Sequence, residues 1–297
     1  MNNDIPACIT RQAYAKINLG IRILRKRADG YHDIETVFAR ILPCDEIILK
    51  QSDAIILTCT QPDLPTDENN LCIKAAELLR QQFGVSKGVH ITLGKQIPVG
   101  AGLGGGSSDA AATLLGLAQL WHLESSIEML STLALKLGSD VPYFLHDGTA
   151  HATGRGEMLD FVDLEIPYWI VLVYPNIHVS TAWAYREIDM MMSPTKGTTG
   201  IRQSSLKDLV MKNIHHPELL RKTIVNDFES VVMKAYPPIA QIKQELYDSG
   251  AIFAQMSGSG SSVYGFFESK DRAASVVRQF EKRYVVFLTP PNFSPEK

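Results

Sequence analysis

No stretch of about 20 consecutive apolar residues occurs in the chain, so no transmembrane helix is expected. Met1-Asn2-Asn3-Asp4-Ile5-Pro6 has neither the basic nor the apolar region of a signal peptide, and a cytoplasmic protein is expected. Positive charge is not in excess. The 29 Lys and Arg against 32 Asp and Glu give a formal net charge of -3, the wrong sign for a protein that coats nucleic acid. Cysteine is sparse: Cys8, Cys44, Cys59 and Cys72 form no C-x-x-C pair and have no histidine cluster beside them. A zinc site or a disulfide framework is therefore not expected, and the thiols read as reduced. Internal repeats and low-complexity segments are lacking too. The remainder is ordinary for a globular chain, 45% hydrophobic and 21% charged over 297 residues, enough for one large or two ordinary domains.

Glycine is concentrated in one place. Pro98-Val99-Gly100-Ala101-Gly102-Leu103-Gly104-Gly105-Gly106-Ser107-Ser108-Asp109 has five glycines in twelve residues. The strand-like alternation of Val89, Ile91 and Leu93 precedes it, and Ala110-Ala111-Ala112-Thr113-Leu114-Leu115, rich in helix formers, follows. Glycine allows positive φ and close approach of the backbone to a ligand. The helix that follows offers unpaired N–H groups and the positive end of its dipole. Together they make a phosphate site. Ser107 and Ser108 are candidates to cap the helix and to donate to phosphate.

The loop lacks the lysine that a P-loop requires after its last glycine. Gly100, Gly102 and Gly105 match a G-x-G-x-x-G spacing, but the preceding strand alternates with His90, Thr92 and Gly94 instead of running continuously apolar. That pattern belongs to a sheet with one exposed face, not to a dinucleotide-binding parallel sheet.

Three further segments carry chemistry-bearing residues. Lys16 sits in the apolar run Ala13-Tyr14-Ala15-Lys16-Ile17-Asn18-Leu19, a strand-edge or snorkelling position or a cation held for the transferred group. Asp140, between Gly138-Ser139 and Val141-Pro142, reads as a turn residue or, beside a phosphate loop, as the acceptor for the proton of an attacking hydroxyl. Arg27-Ala28-Asp29-Gly30-Tyr31-His32 is a polar turn, and Met256-Ser257-Gly258-Ser259-Gly260-Ser261-Ser262 is a glycine hairpin between strands.

The order Pro-x-Gly-x-Gly-Leu-Gly-Gly-Gly-Ser-Ser-Asp, with Lys16, Asp140 and the Ser257–Ser262 turn around it, resembles the GHMP kinases, a superfamily of small-molecule kinases. The likeness covers nearly the whole chain. It implies an α+β, two-domain fold: a ribosomal-S5-like N-terminal domain, 1–163, and a ferredoxin-like C-terminal domain, 164–297. It implies ATP as phosphoryl donor, wrapped by Pro98, Val99, Gly100, Ala101, Gly102, Leu103, Gly104, Gly105, Gly106, Ser107 and Ser108. Mg²⁺ is implied as bound mainly through ATP, with no protein metal site. Lys16 and Asp140 are implied as the catalytic pair. The Ala-Asp-Gly-Tyr-His motif points to a branch whose small-molecule substrate is a cytidine-diphosphate-linked alcohol of non-mevalonate isoprenoid synthesis, with Asn18, Tyr31, His32 and Tyr185 at the substrate and the two tyrosine rings against cytosine. Expected partners are that small molecule alone, with no nucleic acid and no membrane, in a monomer or weak homodimer. The likeness is weakest over 187–209, where no residue is carried over. Other readings are a GHMP kinase for a non-nucleotide alcohol and a catalytically silent nucleotide-binding regulator; Tyr31-His32 speak against the first, Lys16 with Asp140 against the second.

Periodicity completes the expectation. Strands are expected over 7–24 (broken near 14–20), 34–42, 45–51 and 54–59. Helices are expected over 71–83, 107–121 and 126–137, and a buried strand over 168–174. A Ser/Thr/Gly-rich loop is expected over 193–205, helices over 227–235, 238–249 and 270–283, a strand–turn–strand over 254–267, a last strand over 284–289, and a frayed end from 290.

Overall fold

A computed structural model describes residues 8–191 and 204–295. The expected loop 193–205 therefore lies, except for Ser204 and Ser205, outside the described residues. The chain forms two compact units that are not consecutive stretches. One consists of Met1–Ala15, Pro43–Val99 and Gly104–Asp147, the other of Lys16–Leu42, Gly100–Leu103 and Gly148–Lys297.

Two long strands, β1 (Ile9–Lys26) and β2 (His32–Ser52), contribute residues to both units. Both run on where the sequence suggests a break. In β1 the irregular residue is Gly20, at φ 77°. Its N–H donates to Gln255 Oε1 (2.8 Å) and its carbonyl accepts from Thr36 Oγ1 (2.6 Å). Side chains thus satisfy the backbone that the ladder leaves there. In β2, Pro43 falls between the ladder to one neighbour (residues 36–38) and the ladder to another (46–52), a position where its missing N–H breaks no bond of either ladder.

The first unit holds the later half of β2, β3 (Ile55–Cys59), α1 (Leu71–Phe83), β4 (Gly88–Gly94), α2 (Gly105–Leu120) and α3 (Ile127–Leu137). β4 is antiparallel to β2 and parallel to β3. Val89, Ile91 and Leu93 are buried, while His90 and Thr92 are half-exposed, as the alternation requires. α1 begins where Asn70 Oδ1 accepts the Cys72 N–H and ends at Gly84 in left-handed geometry, a good cap at each end.

The second unit holds the earlier half of β2, β5 (Thr149–Thr153) and β6 (Met158–Val162), joined antiparallel in that order. It also holds an antiparallel sheet built from β7 (Trp169–Tyr174), β8 (Phe253–Met256), β9 (Val263–Phe267) and β10 (Val285–Thr289), in the order β10-β7-β9-β8. Among the described residues six helices accompany it: α4 (Thr181–Met191), α5 (Leu206–Asn213), α6 (Pro217–Thr223), α7 (Glu229–Ala235), α8 (Pro237–Asp248) and α9 (Lys270–Phe280). Sequence periodicity misses α4, α5 and α6, which are short and carry polar residues on most faces. Ile21, Ile23, Val171, Val173, Val232, Ile239, Ile242, Leu246, Val263 and Phe267 are among the buried residues of this unit's core.

Glu35 ties this unit together beneath its β2 segment. Its carboxylate accepts from Arg22 (3.1 Å), the Leu206 N–H (2.6 Å) and His151 Nε2 (3.1 Å). Burial alone would raise its pKa; the bonds from His151, the Leu206 N–H and Arg22 outweigh it and hold the carboxyl at about 2. Because the folded pKa is depressed, the contribution is present above the ordinary glutamate range near 4.5 and is lost as pH falls from there towards 2. Glu35→Ala, which leaves Arg22 buried without its carboxylate, is expected to lower unfolding free energy by about 3–5 kcal/mol in urea melts at pH 7. Glu35→Gln should flatten the acid limb of the stability curve, and an unchanged limb would mean that Glu35 is not the group titrating.

Candidate active site

The second unit gathers three of the sequence motifs at one point. The Lys16 N–H donates to the Leu103 carbonyl (3.0 Å). Ser257 Oγ donates to the Gly102 carbonyl (2.9 Å), and the Ser262 N–H to the Ala101 carbonyl (3.2 Å). Gly102 (φ 78°) and Gly258 (φ 60°) face one another. A Cβ on Gly102 would stand 2.3 Å from the Ser257 carbonyl oxygen, and one on Gly258 would stand 3.1 Å from the Gly102 carbonyl. Only glycine admits this approach. Asn18 joins the same cluster: its Oδ1 accepts from Lys16 Nζ (2.7 Å), its Nδ2 donates to Thr36 (2.9 Å), and its carbonyl accepts from Tyr264 (2.8 Å). Lys16 is buried, with its ammonium 5.0 Å from the centre of the Phe38 ring, so it does not snorkel to solvent.

The first unit continues the loop. Gly104, at φ 70°, is the N-cap of α2 and makes no side-chain cap bond. The expected serine cap is thus corrected: α2 starts at Gly105, two residues earlier than the sequence suggests, and Ser107 and Ser108 lie inside its first turn. The glycine conformation ends the loop without a capping side chain, which leaves the first N–H groups of α2 for a ligand. Gly106 at this end is exposed. The Ser108 hydroxyl is buried and has no hydrogen-bond partner among the described residues, a group that a phosphate oxygen would satisfy. Pro98 and Val99 precede the loop, half-buried and exposed respectively. Asp140 is half-buried in the link between α3 and a 3₁₀ turn, Pro142–Leu145, that packs on α2 and α3.

Behind this helix end lies a buried ionic cluster that the sequence reading did not find. Lys95 Nζ donates to Asp45 and to Asp109 (2.9 Å), and Asp45 also accepts the N–H of Gln96 and of Ile97 (2.8 Å). It fixes the end of β4 to the first turns of α2. Gly105 packs here: a Cβ on it would meet Ile97 at 2.9 Å and Lys95 Nζ at 3.2 Å. Its φ is not positive, so close packing, not a left-handed turn, explains this glycine. Burial drives the Asp109 carboxyl up to about 8, against the pull of Lys95 and with the help of Asp45. One cation cannot balance two buried carboxylates, and Asp109, with Oδ1 unpartnered, is the one that holds a proton.

The residues expected at the substrate lie in the second unit. Tyr31, at the tip of the β1–β2 turn, is 56% exposed and carries the Arg155 guanidinium 4.9 Å from its ring centre. The next residue, His32, is 6% exposed. Tyr185 on α4 stacks on His32, with centroids 4.5 Å apart and planes 13° apart, and meets Phe228 edge-on. The sequence reading set Tyr31 and Tyr185 as paired rings; in this structure the ring that Tyr185 covers is that of His32. One turn after Tyr185, Asp189 Oδ1 lies 2.8 Å from His32 Nε2, and its Oδ2 accepts from Lys26 (2.6 Å). Asp189 was invisible in the sequence because α4 was not recognised; the spacing from Tyr185 is the i, i+4 of one helix face.

Two tests separate positions within the loop. Gly102→Ala forces a Cβ into the Ser257 carbonyl at positive φ, and should cost about 1–3 kcal/mol from backbone strain alone, read as a drop in melting temperature. Gly106→Ala meets only Leu71 Cδ1, at 3.6 Å, and should be neutral or stabilising by up to about 1 kcal/mol. Equal effects would show that the loop geometry is not what selects glycine.

Comparison with known proteins gives consistent results. The model of the GHMP kinases N terminal domain matches residues 70–148, and that of the GHMP kinases C terminal matches 210–286. A 4-diphosphocytidyl-2-C-methyl-D-erythritol kinase of Chlorobium phaeobacteroides (strain BS1) is 44% identical over 287 residues, covering 96% of this chain and 98% of that protein. A protein of the same name from Prosthecochloris aestuarii (strain DSM 271 / SK 413) is 43% identical, also covering 96% and 98%. A crystal structure of 4-(cytidine 5'-diphospho)-2C-methyl-D-erythritol kinase superposes with a TM-score of 0.80 at 30% identity, covering 96% of this chain and all of that one. A homoserine kinase from Cytophaga hutchinsonii ATCC 33406 shares the fold, with a TM-score of 0.74 at 19% identity over 98% and 97% of the two chains.

Proposed function

We propose, for a chain that belongs to the GHMP kinases and among them to the 4-diphosphocytidyl-2-C-methyl-D-erythritol kinases, which residues perform its reaction. The chain is a kinase of non-mevalonate isoprenoid precursor synthesis that phosphorylates 4-diphosphocytidyl-2-C-methyl-D-erythritol at the expense of ATP. The hydroxyl that receives the phosphoryl group is, in this reading, the 2-hydroxyl of the methylerythritol.

The observation that carries the assignment of roles is the junction of Lys16 and Asn18 with Leu103, Gly102 and Ser257. The loop from Pro98 to Ser108 wraps the phosphates. Backbone N–H groups and the start of α2 supply positive potential, and the Ser107 and Ser108 hydroxyls donate. Phosphoryl transfer needs positioning and charge stabilisation more than covalent help. Lys16, already fixed through Asn18, offers a localised cation to the transferred group. Asp140 takes the proton of the attacking hydroxyl. Tyr31, His32, Asn18 and Tyr185 form the substrate side.

The donor set fits Mg²⁺ carried on the nucleotide's own phosphates. Among the described residues no group of three or more His, Cys, Asp or Glu side chains is placed to hold a metal, while hydroxyl and N–H donors line the loop. When bound, the ion supplies charge neutralisation between the phosphates. Among the described residues no helix is long and apolar enough to cross a membrane. The two matched family regions fall on either side of 163/164, which supports a family boundary there, while the compact units differ from it in joining 16–42, 100–103 and 148–163 to the later residues.

Two measurements test the reading. A coupled ADP-release assay offering the cytidine-diphosphate alcohol, mevalonate, homoserine and galactose in parallel should give turnover with the first alone; preference for any other overturns the substrate. Asp140→Asn, nearly isosteric but far less basic, should lower kcat on the order of 10²–10⁴ with the KM for ATP nearly unchanged. Turnover close to wild type would remove Asp140 from the role of base.

A further inference from the structure

His32 presents an imidazole whose two nitrogens have different surroundings. Nε2 lies 2.8 Å from Asp189 Oδ1. Nδ1 has no hydrogen-bond partner among the described residues. Asp189 also accepts from Lys26 through its other oxygen. Burial works against its charge, but the bonds from Lys26 and His32 hold the carboxyl below the usual aspartate range. An ionised carboxylate only accepts. The hydrogen between it and His32 therefore belongs to Nε2, and in the neutral ring Nδ1 is the bare acceptor. The ring cannot easily turn over to exchange the two nitrogens. Tyr185 stacks flat on it, Phe228 supports Tyr185 edge-on, and His32 is 6% exposed.

We propose that Asp189 is a specificity-determining residue: it fixes the tautomer of His32 so that, in the neutral ring, Nδ1 is the acceptor for the exocyclic amine of cytosine. This rests on the substrate reading above. Cytosine presents an amine donor at C4, where uracil presents a carbonyl acceptor. A fixed acceptor pairs with the first and faces the second with two lone pairs opposed. A histidine free to change tautomer would accept from cytosine and donate to uracil, and would tell them apart poorly. Asp189 touches no substrate in this scheme; it acts through His32. Tyr185 and Asp189, one turn apart on α4, hold respectively the plane and the tautomer of one ring. Lys26 neutralises the carboxylate's charge from the solvent side.

The experiment uses the full-length enzyme, with ¹⁵N-labelled histidine NMR beside steady-state kinetics. The wild-type His32 signals should show a protonated Nε2 and a bare Nδ1. Asp189→Ala should move them towards a mixture of tautomers. It should also lower the ratio of kcat/KM for the cytidine-diphosphate alcohol over its uridine analogue by on the order of tenfold, the scale of one hydrogen bond gained or left unpaired, with the KM for ATP unchanged. Asp189→Glu, which keeps an accepting carboxylate, should restore part of the ratio. A wild-type Nδ1–H tautomer, or an unmoved ratio in Asp189→Ala when turnover and the NMR spectrum show a folded enzyme, overturns the assignment to Asp189 alone. Absence of any turnover of the cytidine alcohol by the wild type would instead fell the substrate reading, and the cytosine contact with it. His32→Ala separates the two further: it should remove the preference for cytidine altogether, and a preference kept without His32 refutes the proposed contact.

Discussion

Everything at the candidate site depends on two backbones coming closer than any side chain would permit. Gly102 and Gly258 meet with the Ser257 carbonyl where a Cβ would be. That contact brings Ser257 Oγ onto the Gly102 carbonyl and Ser262 N onto Ala101. The phosphate loop is thereby held by groups far away in sequence, not by its own composition. Five glycines in twelve residues would otherwise be a liability, since each loses more conformational freedom on ordering than any other residue. The fixed contacts offset this loss, and the loop can be both glycine-rich and preorganised, which is what binding a phosphate without a capping side chain requires.

The start of α2 is anchored differently. A helix end that presents unpaired N–H groups to a polyanion gains from a positive environment, yet the structure sets two carboxylates behind it. The conflict is resolved by their protonation. Asp45 accepts from Lys95, Gln96 and Ile97, while Asp109, short of partners and raised by burial, holds a proton at neutral pH. The cluster then contributes three-way geometric fixation with no net negative charge beside the phosphate site. A raised folded pKa means that this contribution is fully present below the ordinary aspartate range near 3.8 and is lost as pH rises from there through about 8, so the brace is strongest where the carboxyl needs no counter-ion.

Much of this was legible in the residues because it is local. Asn70 and Gly84 mark the ends of α1, and the alternation at Val89, Ile91 and Leu93 sets β4 against a core on one face. The glycine loop announces a phosphate site and excludes a P-loop by its missing lysine. What was not legible is non-local. β1 passes through Gly20 because Gln255 and Thr36, distant in sequence, satisfy its backbone. β2 passes through Pro43 because two different ladders meet there. The helix cap falls on Gly104 and not on a serine, since a left-handed glycine frees the first turn for a ligand, an advantage that capping preferences do not record. Lys95, Asp45 and Asp109 carry no signal of a shared cluster in the sequence, since only the fold brings them together out of water. Asp189 required the recognition of α4, whose apolar face is short and whose role is to hold a neighbouring ring.

Tyr31 and His32 are adjacent in sequence and opposite in environment, because successive residues entering a strand point to opposite sides. The exposed tyrosine ring can offer stacking area to a base. Stacking is worth about 1–3 kcal/mol per base but tolerates every base, since each has a π-face. Selectivity must come from an atom whose hydrogen-bonding sense is fixed before the substrate arrives, because a group that can adapt to either partner discriminates between neither. His32 is the residue here that is buried, stacked and bonded through one nitrogen only. The proposed scheme divides the labour accordingly: the exposed ring supplies stacking area, and the imidazole that Tyr185 and Asp189 hold in place supplies the choice of nucleobase.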